Sequence, residues 1–252
     1  MSIVVPEFLG RLGNNIFEVA AAIGYARKHN FKYFIPKNYH HKEIYNYFPN
    51  IPVFQGDVST LFKYDVANDF GFRYKEIPKY KDGVKIRGFF QSIKFFEHCQ
   101  DEVRQVLKLN ETPVDYVGIH VRRGDYLQYP DQFPPVTMKY LSDAITIFKD
   151  KGYKDFLVFS DDRKWCINNL PKNFPDCTFK FSEGDAYTDL SLMSSCEHNV
   201  IANSSFSWFA AWYNRNTNKI VVSPSKETWF GPKCRLDTST LIPDEWIQIH
   251  AR

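Results

Sequence analysis

The 252-residue chain is 44% hydrophobic and 24% charged, ordinary globular values that suffice for one large domain or two small ones. Its 32 Lys and Arg against 29 Asp and Glu leave a formal charge of +3, too weak a balance to argue for a nucleic-acid face. No run approaches the roughly 18–20 apolar residues of a membrane helix. Residues 3–5 (Ile-Val-Val) then read as a strand, 10–13 as a turn and 14–29 as a helix with an Ala-rich face. Residues 32–36 are a second strand. Residues 37–82, rich in Tyr, Pro and Lys, are irregular. A strand at 85–89 and a helix over 93–107 follow. Pro113 cannot continue a helix, so a boundary near 110–113 divides an N-terminal α/β lobe (1–110) from a C-terminal Rossmann-like lobe (111–252).

The second half has the clearer rhythm. Strands are predicted at 116–121, 155–159, 178–181, 198–202 and 219–222. Helices are predicted near 137–150, through Trp165, around 190–193 and over 206–213. This alternation argues for a parallel, doubly wound sheet. The polar residues fall where such a sheet binds ligands, at and beyond the carboxyl ends of its strands. These are His120, Arg122, Arg123 and Asp125; Ser160, Asp161 and Asp162; Asn203, Ser204 and Ser205; and Ser223. The five cysteines are scattered and form no CxxC, so they are expected as reduced thiols. Residues 1–7 have neither a basic leader nor a long apolar region, which predicts no signal peptide and a cytoplasmic protein.

Residues 120–125, His-Val-Arg-Arg-Gly-Asp, are the sharpest feature. A guanidinium presents a planar fork of donors to phosphate or carboxylate oxygens. Alternation sends Arg122 and Arg123 to opposite faces, so they are not expected to share a task. The alternative for either is a structural pair with an Asp. Gly10-Arg11-Leu12-Gly13-Asn14-Asn15 opens the first helix, where free amides favour an anion, though a plain Gly turn with an Asn cap looks the same. Asp161 and Asp162 fit a nucleotide contact, a helix cap or a metal pair, but adjacent acids without further oxygen ligands argue little for metal. His40, His41 and the cysteines lack zinc-ligand spacing.

Residues 203–208, Asn-Ser-Ser-Phe-Ser-Trp, run from a strand end into a helix N-terminus that could hold a phosphate or merely be Ser-capped. Asp189 is a candidate acceptor for base or ribose donors, or an exposed capping acid. No nucleophile elbow, H-E-x-x-H or kinase signature is present. Many hydrogen-bonding groups without covalent machinery point to group transfer from an activated, phosphate-bearing donor.

Five ordered segments carry a resemblance that runs nearly end to end. They are Gly10 to Asn14 with Phe17, residues 88–96 (Gly-Phe-Phe-Gln-Ser-Ile-Lys-Phe-Phe), residues 120–126, residues 159–162, and residues 189–212 around Ala202 to Trp208. In these the chain resembles glycosyltransferase family 11, the α-1,2-fucosyltransferases. It departs at Asn15, where the family usually has Gln, and at Phe90 and Phe209, where Trp is common. The resemblance implies a GT-B-like architecture of two Rossmann-like lobes facing a cleft. It further implies a GDP-fucose donor, an inverting displacement, no cofactor and no metal.

The resemblance also distributes roles. Arg122 and Arg11 stabilise the departing diphosphate, with Asn14 and the turn Asn203, Ser204, Ser205, Phe206 and Ser207 adding neutral donors. His120 and Asp189 contact guanosine, with Asp161 or Asp162 nearby. Asp125 is expected to be essential, and Asp131 is a weaker candidate on the acceptor side. The partner is a galactose-containing glycan, with no nucleic acid, no integral membrane segment and peripheral membrane contact left open. A transferase for another nucleotide sugar and a non-catalytic glycan- or nucleotide-binding module are the rival readings.

Overall fold

Small and β-branched apolar residues open the chain with a buried parallel strand, β1 (Ile3–Glu7), in which Val4 and Val5 are fully enclosed. In the computed structural model, which describes residues 2–37, 40–66 and 72–252, it is followed by α1 (Leu12–His29), β2 (Lys32–Tyr33), α2 (Lys42–Tyr47), β3 (Phe62–Asp65), β4 (Val84–Arg87) and α3 (Gln100–Val106). The four strands make one parallel sheet in the order β2-β1-β4-β3. α1 buries Ile16, Phe17, Ala20, Ala21 and Ile23. It ends on Arg27, Lys28 and His29, cations that suit the negative end of the helix dipole, and on Asn30 in the left-handed conformation.

Three predicted elements change here. The helix expected over 93–107 is two single 3-10 turns, Ile93–Phe95 and Glu97–Cys99, before α3 begins. The cause is a close approach to α1: a Cβ on Gly24 would lie 2.0 Å from the Phe95 carbonyl oxygen. The strand expected over 32–36 pairs only through Lys32–Tyr33, with Ile35 bridging to Val53. The stretch expected to be irregular contains α2 and β3, while its residues 38, 39 and 67–71 lie outside the described residues.

The second unit is built of β5 (Val114–Val121), α4 (Met138–Lys149), β6 (Asp155–Ser160), α5 (Arg163–Asn173), β7 (Thr178–Phe181), α6 (Ala186–Ser195), β8 (Cys196–Val200), α7 (Ser205–Tyr213), β9 (Val221–Pro224) and β10 (Ile247–Ile249). All six strands are parallel, in the order β10-β9-β8-β5-β6-β7. The chain winds outward from β5 to β7, then returns to β8 on the other side of β5. This is the strand order of dinucleotide-binding sheets, with its switch point between β5 and β8. The core joins Val117, Ile119, Val121, Phe156 and Val158 of the sheet to Tyr140, Leu141, Ile145 and Phe148 of α4.

Residues Met1–Lys108 with Leu236–Leu241 form the first unit, and Leu109–Arg235 with Ile242–Arg252 the second. The segment Leu236–Leu241, expected in the C-terminal lobe, thus clusters with the first unit. It is tied there by Tyr74 N–H donating to Thr240 Oγ1 (2.7 Å) and Ser92 Oγ donating to the Thr240 carbonyl (2.7 Å). All five cysteines are free thiols.

Candidate functional site

The parallel register of the second sheet determines what meets at its carboxyl edge. Val121 lies opposite Ser160, so the residues just beyond, Arg122 and Asp161, emerge side by side. Arg122 Nη1 is 3.0 Å from Asp161 Oδ2, and its Nη2 donates to Asp125 Oδ1 at 2.6 Å. The Arg122 guanidinium also lies 5.6 Å from the Tyr126 ring centre. Its side chain is 17% exposed, so the fork is held in place yet reachable.

Arg123 goes the other way, as alternation predicts. Its Nε donates to Asp162 Oδ2 at 3.1 Å, and its guanidinium stacks 4.0 Å over the Trp165 ring. Asp162 is accounted for structurally: its other oxygen accepts from Trp165 N–H at 3.1 Å and caps α5. Asp161 also accepts from the Arg123 backbone N–H at 2.9 Å. A Cβ on Gly124 would meet Asp161 Oδ2 at 2.5 Å, so a larger residue there would push on the carboxylate that pairs with Arg122.

His120 shares the Arg122 side of β5. It is buried, its ring centre is 5.5 Å from that of Phe206, and Nδ1 has no hydrogen-bond partner among the described residues. Burial, aided by the neighbouring Arg122 charge, pushes its pKa down to about 3. The imidazole is therefore neutral at pH 7. It can both donate and accept, which suits a polar uncharged ring better than a phosphate.

Next to β5, the end of β8 delivers Asn203, whose Nδ2 donates to the carbonyls of Pro134 (3.0 Å) and Trp229 (2.9 Å). Its Oδ1 is buried and unpartnered among the described residues. The Tyr126 hydroxyl donates to the Asn203 carbonyl at 2.9 Å, linking this turn to the Arg122 segment. Ser204, extended, precedes α7 without a side-chain cap bond, and Ser205 and Phe206 are half-buried. Ser207 is turned inward, donating to the Ala202 and Ser204 carbonyls.

Asp189 lies beyond β7 at the start of α6, where the Ser182 hydroxyl donates to it. Burial raises its pKa, and the Ser182 hydrogen bond opposes the shift. Asp131 pairs with Lys233 at 2.6 Å, and no described contact joins it to the Arg122 cluster.

In the first unit, Gly10 adopts φ +71, and a Cβ there would strike Asn14 Nδ2. Arg11 is exposed at the N-cap of α1. Asn14 Oδ1 accepts from Gln91 Nε2 at 2.8 Å. Gln91 follows Phe90, a fully buried residue at φ +48, a backbone strain that clusters at functional sites. Nothing in the sequence singles out Gln91 within residues 88–96. Nor does it single out Glu18, fully buried behind the Gly10 turn, which accepts from Leu9 N–H at 3.0 Å.

Similarity to known proteins fits this geometry. The profile of glycosyl transferase family 11 matches residues 62–249, most of the chain. The chain belongs to glycosyl transferase family 11. One relative of this family member is the Escherichia coli O-antigen biosynthesis glycosyltransferase WbnK, 32% identical over 67% of this chain and 62% of its own. An Escherichia coli α-1,2-colitosyltransferase is 27% identical with 99% of each chain covered. Rat galactoside α-(1,2)-fucosyltransferase 1 is 26% identical over 81% of this chain and 61% of its own. The chain thus spans less than two thirds of the first and third of these relatives.

Among solved structures, the Bradyrhizobium fucosyltransferase NodZ is similar at 14% identity and a TM-score of 0.51, covering 83% of this chain and 91% of that one. That likeness concerns the fold. With the two parallel sheets, it bears out the α/β, GT-B-like fold class of this family 11 protein. No helix among the described residues is long and apolar enough to cross a membrane.

Proposed function

We propose that this family 11 chain is an inverting glycosyltransferase that moves L-fucose from GDP-β-L-fucose to the 2-hydroxyl of a galactose residue in a glycan, acting in the cytoplasm. The observation that carries the reading is the Arg122 fork, fixed by Asp125 and Asp161 at the carboxyl edge of β5. Fixed donors stabilise charge that develops in a transition state without reorganising as it appears. In the reaction the acceptor oxygen bonds to the sugar's anomeric carbon as the bond to the β-phosphate breaks, its electron pair leaving on GDP. Arg122 meets that growing charge. Neutral His120 and the half-buried Asp189 suit the guanosine, and the 203–207 turn adds amides and hydroxyls. Arg11 and Asn14 are assigned as further donors to the leaving group on the family resemblance.

A second donor has support of its own, because a relative named for colitosyl transfer aligns over 99% of this chain. Colitose is fucose without its 3-hydroxyl, so one pocket chemistry accommodates both. The test offers GDP-fucose and GDP-colitose to the protein with galactose-terminated acceptors, and determines the linkage formed. Transfer of fucose supports the first reading, transfer of colitose alone the second, and GDP binding without transfer a non-catalytic module. Asp125, Asp161 and Asp162 are already engaged by arginines and a helix cap, so EDTA is expected to leave the rate unchanged.

A further inference from the structure

Tyr126 closes the 120–126 segment, half-buried in the one-turn 3-10 helix Asp125–Gln128 that follows β5. Its ring is held along one face and at the far end. The Arg122 guanidinium lies 5.6 Å from the ring centre, within the range of a cation–π contact. The Phe133 ring packs 5.7 Å away and is braced edge-on by Phe230 at 5.9 Å. At the far end the Tyr126 hydroxyl donates to the Asn203 carbonyl at 2.9 Å. That anchor is itself fixed. Asn203 is buried, and its amide Nδ2 donates to the carbonyls of Pro134 (3.0 Å) and Trp229 (2.9 Å). All of these residues belong to the second unit.

Two kinds of restraint therefore act on Arg122. Asp125 and Asp161 hold the guanidinium through charge, from side chains that are 37% and 24% exposed. Ion pairs that water can reach are weak and are screened by salt. A ring anchored on a buried backbone carbonyl does not depend on either condition. Resting on the transferase reading above, we propose that Tyr126 is a positioning residue for the reaction: a strut that carries the rigidity of the Asn203 turn to the Arg122 guanidinium. Fixed donors stabilise developing charge because they need not reorganise as it appears, and a long arginine side chain supplies such donors only when its rotamer is held. The side chain contributes in two separable ways. The ring supports the cation, and the hydroxyl keeps the ring in place. Phenylalanine retains the first and loses the second; leucine loses both.

The test is a double-mutant cycle on transfer, using whichever of the two donors the wild type accepts. With Arg122 present, Tyr126→Phe should lower kcat about five- to tenfold, the worth of one hydrogen bond. Tyr126→Leu should lower it about 10- to 100-fold, since the cation–π contact goes as well. With Arg122→Ala as the background, either substitution should change kcat by less than about twofold, because the strut then has no guanidinium to aim. A merely structural residue would cost the same factor in both backgrounds. Tyr126→Phe keeps the packed ring, so it carries the test if Tyr126→Leu fails to fold. Equal losses in the two backgrounds, or a Tyr126→Phe enzyme within about twofold of wild type, overturn the strut while the transferase reading stands. A wild type that transfers neither sugar overturns the reading and this assignment with it.

Discussion

The edge of the second sheet and the turn that opens α1 both concentrate polar side chains, by opposite means. At the ends of β5 and β6, two guanidiniums meet three carboxylates, and each arginine is oriented by ions. Around Asn15, the order comes from an amide whose donors and acceptor have only one consistent arrangement. The first arrangement suits a ligand that brings negative charge, since a guanidinium has five N–H donors and the two carboxylates that hold Arg122 in place do not use them all. The second fixes which nitrogen of the neutral His41 ring carries its proton, Nδ1 facing Asn15 Oδ1 at 3.1 Å, without any ion.

The contrast can be broken most decisively at Arg122. Arg122→Ala should cut transfer about 10²–10³-fold with near-UV circular dichroism unchanged; a variant turning over at the wild-type rate removes the ionic half of the comparison. Asp125→Asn frees one end of the same fork and should lower kcat/KM about tenfold, the order of a charge-assisted hydrogen bond, while Arg122→Lys should not restore the fork geometry.

His120 sharpens the comparison through stability. The unfolded chain protonates this residue below 6.5, whereas the folded chain resists until about 3. Its contribution is present above pH 6.5 and is lost as pH falls toward 3, at about 1.4 kcal/mol per unit. Urea denaturation at pH 7 and 4.5 should show this loss, and His120→Gln should flatten it; an identical slope in the variant contradicts the assignment. The smallest effect on chemistry is expected at Arg123. Its alanine variant should change transfer by less than about threefold while costing roughly 1–2 kcal/mol of stability, from the lost stack on Trp165 and ion pair with Asp162.

Much of the fold is legible in the amino-acid sequence alone. Buried parallel strands read as continuous apolar runs, so β5 and β6 are visible there, the half-exposed β7 shows instead as alternating Thr-Phe-Lys-Phe, and the polar residues after β5 and β6 mark the binding edge. β3 is not, because it is polar and largely exposed at the sheet's edge, and β10 is only three residues long. The 93–107 segment misleads because its break is imposed by the approach of Phe95 to Gly24, a tertiary fact with no local signal. In the site, alternation separates Arg122 from Arg123 correctly. That Asp161 rather than Asp162 meets Arg122 depends on the β5–β6 register. The contact between His41 and Asn15 has no sequence signal, since it spans 26 residues and a strand between them.

That Arg122 holds the diphosphate of a GDP-linked sugar is checked by calorimetric titration of GDP into the wild type, Arg122→Ala and Arg123→Ala. The Kd should weaken about 10- to 100-fold for Arg122→Ala and change little for Arg123→Ala. Equal affinity of the wild type and Arg122→Ala, or no GDP binding by the wild type, would contradict it.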